Sequence, residues 1–117
     1  MFDFKVGEKT VPLNWGTWSM KRFCEIKGIT IVEYFDIIGS GNIQLTDVIA
    51  ILQAAAEHGQ KGTVKFTEFE VCEWIDVDGG IVNPNGQIKG FFEWIAASHL
   101  VDVKQDEEKK SLNEPSV

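Results

Sequence analysis

Basic residues are scarce in this sequence: 11 lysines and arginines stand against 18 aspartates and glutamates, for a formal net charge of −7. Nucleic acids and anionic membranes both select a positively charged surface, so neither is an expected partner. Cysteine is scarcer still. Cys24 and Cys72 are the whole complement, and both fall at apolar positions of predicted helices. They read as buried free thiols rather than a disulfide framework or a metal site. Long apolar runs are missing as well, since no stretch approaches the ~20 residues of a spanning helix. The opening MFDFKVGEK has neither the basic start nor the apolar run of a signal peptide. The expectation is a cytoplasmic protein.

Patterns that carry chemistry are also lacking. His58 and His99 are far apart, and neither is bracketed by cysteine or carboxylate at ligand spacing. Gly39-Ser40-Gly41 has no preceding parallel strand and no following Lys-Ser/Thr, so it is no phosphate loop. No serine or cysteine sits in a nucleophile elbow. Asp76-Val77-Asp78-Gly79-Gly80 opens like a calcium loop, but the sixth and twelfth places hold Ile81 and Gln87 instead of Gly and Glu. The bidentate carboxylate is missing, and the two acids read as solvated turn residues. The segment from Phe23 to Ile38 has the outline of a helix-turn-helix. Its second helix offers Glu33, Asp36 and large apolar residues, which repel DNA rather than read it. No enzymatic activity, cofactor or metal is expected.

What is present is a small helical domain. Apolar residues make up 44% and charged residues 25% of the 117 positions, the proportions of one ordinary globular domain. The central stretch is Leu45 to His58, LTDVIAILQAAAEH, closed by Gly59. Val48, Ile49, Leu52, Ala55 and Ala56 share one helical stripe, which Ala50, Ile51 and Ala54 broaden. Thr46 or Asp47 is its expected N-cap, and Gly59 the left-handed residue that ends it. Ahead of it, residues 2–13 alternate as a β-hairpin turning at Gly7-Glu8-Lys9. Asn14 caps a first helix from Trp15 to Lys27, ended by Gly28. Thr30 with Glu33 forms a capping box that opens the helix IVEYFDII, ended by Gly39. That helix is apolar nearly all round, so it is either enclosed or covers something else. After the central helix, Thr63 to Phe66 reads as extended. Thr67 with Glu70 starts a helix through Ile75, and a last helix runs from Gln87 to Leu100. The expected fold is mainly α: a bundle of about five short helices with an N-terminal β-hairpin, in a single domain over residues 1–100. Residues 101–117 carry five acids and three lysines with little apolar content, the composition of a disordered tail. Glu73-Trp74-Ile75 and Glu93-Trp94-Ile95 match over three residues only and mark no repeat.

Aromatics are the surplus. Four tryptophans and eight phenylalanines in 117 residues exceed what so small a core needs. Trp18 falls on the polar side of its helix, and Trp94 lies off the stripe of Ile88, Phe91, Phe92 and Ile95. One account has Trp18 under the hairpin and Trp94 at the edge of the core. The other makes them anchors for a partner.

In layout the chain resembles the tail assembly chaperones of long-tailed bacteriophages. Those proteins are small, acidic, mostly helical and without catalytic motifs. Many begin with a strand pair ahead of a Trp-containing helix, as in FDFKVGEKTVPLNWGTWSMKRFCE. A Gly-[Ile/Leu]-[Ser/Thr] turn into an apolar helix matches Gly28-Ile29-Thr30 and IVEYFDII. A Leu/Ala-rich helix follows, then a Thr-x-x-Glu start with an acidic-Trp pair, here Thr67, Glu70 and Glu73-Trp74. The likeness covers roughly residues 2–100. It implies a chaperone in the host cytoplasm that binds the tape-measure protein, keeps that long helical chain soluble, and helps recruit the tail-tube protein. It leaves a homo-oligomer open. The expected contacts are Trp18, Phe35, Ile37, Trp74 and Trp94. Two rival readings are a structural virion or adaptor subunit, and a calcium- or ligand-binding regulatory module.

Overall fold

The computed structural model describes residues 1–97. The expectations for residues 98–117, the end of the last helix and the tail, lie outside the described residues. The described chain folds as a mainly α bundle with an N-terminal β-hairpin, as its periodicities predict.

Alternation makes the hairpin. Strand β1 (Phe2–Val6) pairs antiparallel with β2 (Lys9–Leu13), with Phe2 opposite Leu13 and Val6 opposite Lys9. Gly7, at φ 63°, takes the first place of the two-residue loop, where this tight turn needs a positive φ. The inward residues Phe4, Val11 and Leu13 are buried. A lone hairpin is marginal in water, and this one is held by helices on both sides.

Helix α1 (Thr17–Lys27) starts two residues later than Asn14 suggested. Its first free N–H groups are managed around Gly16, whose N–H donates to Ser19 Oγ at 2.8 Å. Asn14 is drawn elsewhere: its N–H donates to the Ala55 carbonyl at 3.1 Å, and its side chain accepts from Trp15 N. Gly28 at φ 68° ends α1, and the Thr30–Glu33 capping box opens α2 (Ile31–Ser40) with both reciprocal bonds made. This helix runs past Gly39 to Gly41, the residue in the left-handed conformation.

Helix α3 (Leu45–Gly59) is the centre of the fold, with α1, β2 and α4 packed around it. Asp47 accepts from the Gln44 N–H at 2.9 Å, so Gln44 is the capping position. Ile51 and Leu52 are fully buried, each a contribution of about 1.5–3 kcal/mol. Gly59 belongs to the helix rather than ending it, and its role is space. A Cβ there would stand 2.0 Å from the Pro12 carbonyl oxygen, so β2 reaches α3 only because position 59 has no side chain. The turn that follows uses Lys61 at φ 56° and Gly62 at φ 75°. Residues 63–66 form a bend with no strand partner.

One buried carboxylate ties this region together. Glu57 of α3 is 1% exposed. It accepts Arg22 Nε from α1 at 2.7 Å and the Phe66 N–H ahead of α4 at 3.0 Å. A buried charge is tolerated only when paired and hydrogen-bonded in this way. Helix α4 (Glu68–Val77) opens at the Thr67–Glu70 box, and α5 (Gln87–Ile95) closes the far side of the hairpin. There the Gln87 side chain accepts from Lys5 N at 2.6 Å and donates to Lys5 O at 2.8 Å. Among the described residues no buried side-chain polar atom lacks a hydrogen-bond partner. No single described helix is long and apolar enough to cross a membrane.

Candidate functional site

Helix α2 is held by a narrow contact. Tyr34 is its one buried residue. Its ring meets Phe23 edge-on at 5.5 Å, and its hydroxyl accepts from Trp15 Nε1 at 3.3 Å. Burial pushes the Tyr34 phenol above its ordinary pKa, with the Trp15 hydrogen bond acting against that. Ile38 packs partly against the core from the next turn. The opposite side of the helix faces outward: Ile31 is 46%, Val32 65% and Phe35 53% exposed.

Beside this face lies a groove of about 480 Å³ between α1 and α2. Met20, Cys24 and Ile29 form its floor with Ile31 and Phe35, while Thr17, Lys21 and Glu25 stand at the α1 rim. The capping chemistry sets this geometry. Gly28 stops α1, Ile29 N donates back to the Cys24 carbonyl at 3.0 Å, and Thr30 restarts the helix. On the rim, Lys21 and Glu25 pair at 3.0 Å, and the Lys21 hydrogen bond holds the Glu25 carboxyl below the usual carboxylate range. The Cys24 thiol is pushed up, first by burial and then by the nearby charges of Glu25 and Glu33.

The five sequence-predicted contacts do not gather in one place. Phe35 is on the open face of α2, and Ile37, on the same helix, is half-buried. Trp18 is half-buried, 5.8 Å from His58 and against Gly62, with Lys21 Nζ 5.5 Å from its ring. It therefore packs on the end of α3 rather than under the hairpin. Trp74 is 9% exposed and meets Phe66 edge-on at 5.0 Å, so it belongs to the core in this fold. Trp94 is half-buried, stacked on Phe91 at 6.0 Å and close to Phe2.

Sequence reading singled out Phe35 and passed over Ile31 and Val32. The available signal was the apolar circumference of IVEYFDII, which one small core cannot cover on every side. Other exposed apolar residues are scattered: Leu45 at the start of α3, Phe69 on α4, and Val77, Ile81 and Val82 near the α4–α5 loop.

Two arrangements that invite a chemical reading have structural jobs. Ser19 Oγ lies 3.0 Å from His58 Nδ1, a serine–histidine approach. Yet Ser19 is fully buried, its hydroxyl donates to the Gly16 carbonyl, and it accepts from Gly16 N. It serves as the lock on the α1 start. In the loop that opens like a calcium site, Asp78 accepts Gln87 N at 2.7 Å and Gln87 Nε2 at 3.0 Å, which caps α5. No group of three or more potential metal-ligating His, Cys, Asp or Glu side chains occurs among the described residues.

Set against models of protein families, curated proteins and solved structures, the chain finds no match in any of the three.

Proposed function

We propose that this protein is a non-enzymatic tail assembly chaperone of a bacteriophage, which binds the helical tape-measure protein and keeps it soluble while the tail-tube protein assembles. The observation that carries the reading is the outward face of α2. Ile31, Val32 and Phe35 stand beside an apolar groove on a chain whose core is otherwise closed. Contiguous apolar surface of this kind on a small domain marks a place for another protein. A tape measure presents repeated apolar helical surface that aggregates unless covered, and a groove beside a helix is suited to receive such a helix. The net charge of −7 keeps the resulting complex dispersed.

The test is co-expression with the long helical protein encoded next to this chain. The expected result is that the client becomes soluble and co-purifies in defined ratio. A client that precipitates to the same extent with and without this chain overturns the proposal. Purified virions add a second readout: a chaperone is absent from them, whereas a structural subunit is present stoichiometrically.

A further inference from the structure

The groove between α1 and α2 has unlike rims. On the α1 side the charges cancel, because Lys21 pairs with Glu25 at 3.0 Å and Arg22 approaches the same carboxylate at 3.7 Å. On the α2 side Glu33 and Asp36 follow Val32 around the helix. Among the described residues neither has a cation within ion-pair distance. Glu33 accepts the Thr30 N–H at 2.8 Å and keeps its charge. Lys27, which lines the same depression as Asp36, is held by Asp47 at 2.9 Å. The negative field reaches the groove floor, where Glu25 and Glu33 both act on Cys24. Apolar floor, neutral rim and acidic rim together describe one kind of occupant.

We propose that this groove receives an amphipathic helix of another protein, one that carries lysine or arginine along the flank of its apolar face lying over Asp36 and Glu33. The inference rests on the chaperone reading for treating this face as the working surface; the chemistry of the occupant comes from the rims. With ten residues, α2 is about 15 Å long, enough to meet anchors at i, i+3, i+4 and i+7 of a partner helix. Charge argues against the two occupants nearest to hand. A second copy docked α2 against α2 brings two acidic flanks together, because a two-fold interface is self-facing. Residues 98–117 of the chain itself carry five acids against three lysines, the wrong sign for this rim.

The test uses the full chain and three synthetic helical peptides of about 18 residues. They share one leucine stripe and carry lysine, glutamine or glutamate on the flanks. Binding is read by fluorescence anisotropy at low salt and at about 0.5 M salt. The lysine peptide is expected to bind at least ~10-fold tighter than the glutamate peptide at low salt, with the gap narrowing at high salt. Phe35→Asp is expected to weaken the lysine peptide ~10-fold or more, and Asp36→Lys to shift the preference toward the glutamate peptide. Both positions are exposed, and circular dichroism melts establish that the variants fold.

Equal affinity for the lysine and glutamate peptides, or unchanged binding by Phe35→Asp, overturns the proposal. So does sedimentation showing that the groove is filled by a second copy. The two readings fail separately. If the lysine peptide binds as described and the tape measure still precipitates, the groove stands and the chaperone reading falls. If Phe35→Asp solubilises the tape measure as well as the unaltered chain does, the chaperone reading stands and the groove falls.

Discussion

Helices α2 and α3 are consecutive, both rich in aliphatic residues, and they end in opposite situations. Nine of the fifteen residues of α3 are buried, against one of ten in α2. Hydrophobicity does not account for this, since IVEYFDII is as apolar as any stretch of the chain. Position does. Helix α3 has α1, β2 and α4 around it, while α2 rests chiefly on α1 through Tyr34 and leaves Ile31, Val32 and Phe35 to the outside. An apolar residue is core only where other elements arrive to cover it, and uncovered apolar surface on a folded domain has a use.

Substitutions can break or sharpen that contrast. The largest expected effect is at the ion pair that joins α3 to its neighbours. Arg22→Met leaves the buried Glu57 carboxylate without its cation, and chemical denaturation is expected to show a loss of about 3–5 kcal/mol. Next comes the apolar centre of α3, where Leu52→Ala is expected to cost about 3 kcal/mol by the same measurement, from lost burial and a residual cavity.

At the foot of α2, Tyr34→Phe removes the acceptor of Trp15 Nε1, for about 1 kcal/mol at neutral pH. The same residue gives a pH dependence. Because its folded pKa is raised above the ordinary value of 10.0, its contribution is fully present below the unfolded pKa. It is lost as pH rises through the folded pKa. Melts from about pH 9 to pH 11 are expected to fall more steeply for the unaltered chain than for Tyr34→Phe. The smallest effect on stability is at Phe35→Ala, within about 0.5 kcal/mol. A loss of several kcal/mol there would mean that the outer face of α2 is core after all, and the contrast would collapse.

Much of the fold was legible in local sequence. Alternation over residues 2–13 marked the hairpin, and the two Thr-x-x-Glu boxes placed the starts of α2 and α4 at the observed residues, because capping is decided within four positions. Errors arose where a residue answers to a distant neighbour. Asn14 looks like a helix cap, but its N–H is taken by Ala55. Gly59 looks like a helix stop, and instead it makes room for Pro12. Trp74 and Phe35 were both read as contacts from residue type, and the structure separates them. Trp74 meets Phe66 inside, while nothing folds over Phe35. Single-helix periodicity states which side of α2 is apolar; it does not state how many of those sides find company.

The side-chain amide of Gln87 stands beside Lys5 where a third strand would place its peptide group, and copies that group's donor and acceptor. The border of the hairpin is therefore already stitched at that point. Many molecules of this protein can crowd along one filament without zipping into shared sheets, and any amyloid-like growth from the first strand must evict a glutamine before it can begin.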